Sequence, residues 1–175
     1  MEEKLVSTEL VFKGRAVNLR VDTVEMPDGR RTTREIVEHA ECVAVVPVDA
    51  DGNILLVRQF RHAAGLSLLE IPAGGIDPGE DADAAVRREM GEETGFAPLT
   101  LRRLGGFYSS PGFCTEYLHL YQATDLVPKR LEADDTEGIE VVRVTTDRIP
   151  GLIDSGTICD AKSIAGLLTY LHIPR

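Results

Sequence analysis

With 175 residues, 43% of them apolar and 27% charged, the chain is long enough for one well-packed soluble domain and too short for two generous ones. A net charge of −10 argues against a broad surface for a phosphate backbone, so no nucleic-acid partner is expected. No apolar run reaches transmembrane length, and the acidic start Met1-Glu2-Glu3 is unlike a signal peptide, so the expectation is a cytoplasmic protein with no membrane partner.

Residues 8–12 and 16–25 read as extended segments, and residues 31–38 fold back on the second through the turn Pro27-Asp28-Gly29. These first 40 residues have no slot in a central sheet. Residues 42–48 form an apolar run closed by Asp49-Ala50-Asp51-Gly52, and residues 53–59 are the next strand, which predicts a hairpin over 42–59. Residues 68–72 read as a strand end, and 73–79, rich in Gly, Pro and Asp, as a turn. A helix is predicted over 82–94, with Asp81 as N-cap and Gly95 as its stop. Gly91 inside that helix costs about 1 kcal/mol relative to Ala, for no reason visible in the sequence. Residues 99–109 and 116–122 are strands flanking Ser110-Pro111-Gly112-Phe113, and 139–145 is a further strand. Residues 146–155 and 160–171 are helical, the latter with Ile164, Leu167, Leu168 and Leu171 at helical spacing. A mixed sheet between helices results. Cys42, Cys114 and Cys159 are far apart and lack metal-ligand spacing, so they read as thiols in a reducing compartment. His39, His62, His119 and His172 are scattered and read as structural.

Residues 74–96 carry the chemistry. Glu89 and Glu93 stand one helical turn apart on one face, with Glu92 beside them. Clustered carboxylates repel one another and gain nothing as a core. Their use is to hold hard divalent cations, and Mg²⁺ in particular favours carboxylate and phosphate oxygens. From Gly74 through Glu80, Arg88, Glu89, Glu92, Glu93 and Gly95 to Phe96, the spacing matches the Nudix box, G-x5-E-x7-R-E-U-x-E-E-x-G-U with U apolar, at every defined position. Seven fixed identities recur by chance on the order of 10⁻⁸ per starting point, so the chain resembles the Nudix hydrolases.

That resemblance implies an α/β/α sandwich with a mixed central sheet over residues 41–175, preceded by a small antiparallel sheet over 1–40 that contributes to a homodimer. Further pieces resemble the ADP-ribose pyrophosphatases: Pro111, fifteen residues past the box, Arg58-Gln59-Phe60-Arg61, Glu70-Ile71-Pro72-Ala73-Gly74, and Asp160-Ala161-Lys162-Ser163. They imply hydrolysis of ADP-ribose to AMP and ribose 5-phosphate by attack of water on the pyrophosphate. Two or three Mg²⁺ ions, with Mn²⁺ a possible substitute, serve such enzymes. Carried over by motif, the Ala73 carbonyl, Glu89 and Glu93 are metal ligands, with Glu92 a further one. Arg88 orients these carboxylates, and Glu80 stands behind them or binds an extra ion. Arg61, Arg34, Pro111 and Gly112 contact substrate, Arg61 with a guanidinium fork suited to a pyrophosphate. The general base lies outside the box, on the acidic stretch before the last sheet strand: Glu137 first, Glu140 second, with Glu92 as a fallback. GDP-mannose or another nucleotide sugar remains an alternative substrate. A sensor that binds ADP-ribose without cutting it is the rival outside the enzymes, disfavoured by the intact box. With no Trp in the chain, any stacking on the base falls to Tyr, Phe or an aliphatic side chain.

Overall fold

The computed structural model describes residues 2–132 and 138–173. The chain falls into two compact units, residues 1–41 with 108–117, and residues 42–107 with 118–175. No helix among the described residues is long and apolar enough to cross a membrane.

In the first unit, β1 (Lys4–Lys13), β2 (Asn18–Glu25) and β3 (Arg31–Glu38) form an antiparallel sheet in that order. The β2–β3 turn uses Gly29 at φ 82°, a left-handed conformation that glycine adopts without steric cost. Segment 108–117 closes onto the end of β3, where the Val37 N–H donates to the Phe113 carbonyl at 2.7 Å and the Thr115 N–H to the Val37 carbonyl at 3.0 Å. Every residue of β1 is exposed, including Leu5, Val6, Leu10, Val11 and Phe12.

The second unit contains β4 (Cys42–Pro47), β5 (Asn53–Arg61), β6 (Leu66–Glu70), β7 (Ala73–Gly75), α1 (Ala82–Glu89), β8 (Phe96–Tyr108), β9 (Tyr117–Pro128), β10 (Glu140–Thr145), α2 (Ile149–Asp154) and α3 (Ala161–His172). A mixed sheet runs β7-β4-β9-β8, with β4 antiparallel to β7 and parallel to β9. An antiparallel sheet runs β10-β5-β6. Strand β4 is buried on both faces, which is why it reads as an unbroken apolar run. Val43 and Val45 pack with Ala85, Val86 and Met90, while Ala44 and Val46 pack with Ile54, Leu56, Ile71 and Leu167. Helix α3 lies so close to this second core that a Cβ on Gly166 would stand 2.8 Å from Ile71 Cδ1.

Three expectations need correction. Residues 42–59 are not a hairpin: both edges of β4 are taken, by β7 and β9, so β5 pairs with β6 and β10 in the other sheet. Only the isolated bridge Val48↔Ile54 joins the two runs. The Asp49 carboxylate, accepting from the Asp51 and Asn53 N–H groups, shapes the bend that redirects the chain. Residues 73–79 are not all turn, because Ala73–Gly75 is the short edge strand β7. The box helix is not α-helical to residue 94 either: α1 ends at Glu89 and a π-helical turn, Met90–Thr94, follows. Its caps are as the sequence indicates. The Asp81 carboxylate accepts from the Ala84 N–H at 2.8 Å, and Gly95 stops the turn at φ 77°.

Candidate metal and phosphate site

The carboxylates of the box gather where α1 and the π turn face β7. Glu89 and Glu93 are both buried, at 9% and 6% exposure. An added Cβ on Gly74 would collide with the Glu89 carboxylate, so the glycine that opens the box is what admits that side chain. Glu93 accepts from the Ala73 N–H at 3.2 Å. Widening the last turn from α to π resets the side chains after Glu89, an arrangement that recurs at functional sites. Gly91 now has an explanation. The Leu131 N–H donates to the Gly91 carbonyl at 3.1 Å, and a Cβ there would stand 2.9 Å from the Leu131 side chain. The chain leaving β9 is thereby tied against the π turn.

Arg88 is the cation at the centre of this cluster. Its guanidinium donates to Glu80 at 2.9 and 3.1 Å, to Glu89 at 2.7 Å, to Glu92 at 3.2 Å and to the Gly75 carbonyl at 2.7 Å. One guanidinium therefore serves three glutamates, Glu80, Glu89 and Glu92. Burial pushes the Glu93 carboxyl up to about 7, reinforced by the charge of Glu89 and opposed by the Ala73 N–H, Arg61 and Lys162. Glu89 is raised too, again by burial first, with Arg88 opposing. Glu80 is lowered, chiefly by its hydrogen bonds from Arg88. Two adjacent buried carboxylates that resist ionisation, supplied only with hard oxygen donors, fit a divalent cation.

A second cluster adjoins the first. Glu70, 1% exposed, receives Arg61 Nη2 at 2.6 Å and Nε at 3.1 Å, and Lys162 Nζ at 2.8 Å. Lys162 also reaches Asp160 at 2.8 Å, and Asp160 caps α3 by accepting from the Ser163 N–H. The hydroxyl of Ser163 in turn accepts from the Ile71 N–H at 2.9 Å. Glu70, Asp160 and Lys162 lie within motifs visible in the sequence, but their local spacing implies no role for them. The available signal was a glutamate inside the apolar run Leu68-Leu69-Glu70-Ile71: a charge so placed must find partners elsewhere in the chain.

The remaining candidates are dispersed. Arg34, Pro111 and Gly112 line one cavity of about 340 Å³ in the first unit, together with Glu3, Arg20 and Phe113. Arg34 is paired there with Glu3 at 2.6 Å. Glu140 opens β10 with its side chain 68% exposed, 3.5 Å from Arg58. Glu137 lies outside the described residues.

A box helix capped by Asp81, a glycine that seats Glu89 and an arginine shared among glutamates make a site suited to a hard divalent cation. Residues 38–166 match the NUDIX domain and residues 3–37 the nucleoside diphosphate sugar hydrolase N-terminal domain. The chain belongs to the Nudix family. It is 38% identical over 175 residues to the ADP-ribose pyrophosphatase of Bacillus subtilis (strain 168), covering 99% of this chain and 94% of that one. It is 39% identical to the methanol dehydrogenase activator of Bacillus methanolicus, covering 98% and 94%. The crystal structure of an ADP compounds hydrolase superposes with a TM-score of 0.90 at 25% identity, over 98% of this chain and 93% of that one. Nudix hydrolases as a family use a divalent metal such as Mg²⁺.

Proposed function

We propose that the protein is an ADP-ribose pyrophosphatase, hydrolysing ADP-ribose to AMP and ribose 5-phosphate. The observation that carries this reading is the pair of buried carboxylates, Glu89 and Glu93, with the partly exposed Arg61 guanidinium acting on the charge of Glu93. Relatives named for ADP-ribose and ADP compounds support the substrate, and the likeness to the nucleoside diphosphate sugar hydrolase N-terminal domain supports its class.

Glu89, Glu93 and Glu92, with the Ala73 carbonyl, would hold Mg²⁺, two or three ions in all, with Mn²⁺ as substitute. Bound there, the metal offsets phosphate charge and lowers the pKa of water. Arg88 keeps Glu80, Glu89 and Glu92 oriented through its shared hydrogen bonds. Arg61 binds the diphosphate, for which a planar fork of donors is suited. Arg34, Pro111 and Gly112 contact the remainder of the substrate. Glu137 takes the proton of the attacking water, with Glu140 second and Glu92 third in line. Most of the rate enhancement is positioning and charge stabilisation, since phosphoryl transfer needs little covalent assistance.

The first 40 residues mediate a homodimer. Support comes from β1, a sheet-edge strand with five large apolar side chains exposed, a surface that soluble proteins ordinarily cover. The deciding experiment for the activity is Mg²⁺-dependent turnover of ADP-ribose against GDP-mannose and diadenosine polyphosphates, with products identified. AMP and ribose 5-phosphate formed preferentially from ADP-ribose is the expected result. Preference for GDP-mannose would reassign the substrate, and binding of ADP-ribose without turnover of any compound would make the protein a sensor.

A further inference from the structure

A carboxylate as deeply buried as Glu70 persists only if its charge is compensated, and losing a partner leaves an uncompensated charge inside the protein. Two cations meet at its Oε2, Arg61 Nη2 at 2.6 Å and Lys162 Nζ at 2.8 Å. Arg61 presents Nε and Nη2 to the carboxylate, which fixes the plane of the guanidinium. Its Nη1 donors have no partner among the described residues, and 39% of the side chain is exposed against 1% for Glu70. Arg61 is thus held along one edge and open along the other, close enough to Glu93 to act on its charge. Lys162 belongs to the first turn of α3, and the neighbouring Ser163–Ile71 hydrogen bond locks that turn to the end of β6.

We propose that Glu70 and Lys162 are a positioning pair for Arg61, presenting its Nη1 edge to the phosphate oxygens of the substrate. The proposal rests on the assignment of a nucleoside diphosphate substrate. Lys162 has a distinct task in it. A bound diphosphate competes with Glu70 for the guanidinium, and without a second cation that competition would strand a buried carboxylate. By donating to the same Glu70 Oε2, Lys162 keeps the carboxylate compensated and lets Arg61 be shared between carboxylate and phosphate. This accounts for the dispersal of the pieces along the chain: Arg61 ends β5, Glu70 ends β6 and Lys162 opens α3.

The test is steady-state kinetics on ADP-ribose with Mg²⁺ for Arg61→Ala, Glu70→Gln, Lys162→Met, Lys162→Arg, and the doubles of Arg61→Ala with Glu70→Gln and with Lys162→Met. Glu70→Gln and Lys162→Met should each raise KM about tenfold or more with a smaller change in kcat, and Lys162→Arg should recover most of the loss. In the Arg61→Ala background the same two substitutions should cost less than about threefold, because the group through which they act is gone. Equal costs in both backgrounds, or lowered melting temperature with unchanged KM, would overturn the proposal. If Glu70→Gln does not fold, the Lys162 series and its double carry the same comparison. The set is also titrated with inorganic pyrophosphate and Mg²⁺ by calorimetry. Wild type that binds pyrophosphate but turns over none of the nucleotides removes the substrate assignment, while positioning is then judged from the pyrophosphate affinities by the same non-additivity. Pyrophosphate binding insensitive to Arg61→Ala, or no binding at all, overturns the positioning role.

Discussion

Removing the charge of Glu93 while keeping its volume separates metal binding from packing. Glu93→Gln should stay folded and lose more than about tenfold in turnover at saturating Mg²⁺; activity within that factor would sink its assignment as a ligand. The same substitution has a signature in stability when metal is chelated. Glu93 titrates near 7 in the folded chain against an ordinary carboxyl value of 4.5. The unfolded chain therefore releases this proton first, so the residue's contribution is fully present below about 4.5 and is lost as pH rises through about 7. Glu89 is shifted in the same direction. Thermal melts in chelator from pH 4.5 to 8 should show wild type losing ground to Glu93→Gln as pH rises, and Mg²⁺ should reverse the order. Parallel curves would mean that Glu93 is not strained by its charge. Gly74→Ala reads the opposite side of the same site. Its methyl must displace the Glu89 carboxylate, and a misplacement of roughly 1 Å can cost about 10² in rate, so kcat/KM should fall by that much with circular dichroism unchanged.

At the scale of elements, the π turn anchors the chain that leaves β9: the Leu131 N–H donates to the Gly91 carbonyl and the Lys129 N–H to the Gly95 carbonyl. Strand β10, by contrast, is held along its length by β5, with Glu140 opposite Arg58. A side chain fixed in a sheet and paired with an arginine is poorly placed to follow a substrate. Glu137→Gln should lower kcat by about 10² or more with little change in KM, whereas Glu140→Gln should act mainly on stability. Reversed losses would make Glu140 the base, and two silent substitutions would move the role to Glu92.

The whole molecule poses the question of what covers β1. An edge strand offering unpaired backbone groups and exposed Leu, Val and Phe side chains invites pairing with another chain. Light scattering at micromolar concentration should give a dimer, and Leu10→Lys with Phe12→Lys should yield a folded monomer. A monomeric wild type would end the assignment of the first 40 residues to dimerisation.

Family, fold class and the outline of the site were legible because they rest on local spacing. The interval from Gly74 to Phe96 encodes its own helix, caps and carboxylate cluster, and neighbours three and four residues apart on a helix meet whatever surrounds them. Apolar periodicity likewise located the strands and the last helix. Three things depended on partners distant in the chain. Whether β4 and β5 form a hairpin was settled by which strands occupy the edges of β4, and the turn between them reads the same in either case. Gly91 looked merely unfavourable until Leu131, forty residues on, was packed against it. The pairing of Glu70 with Arg61 and Lys162 spans 92 residues at its widest, and only tertiary burial, by making a lone charge intolerable, turns those separate motifs into one cluster.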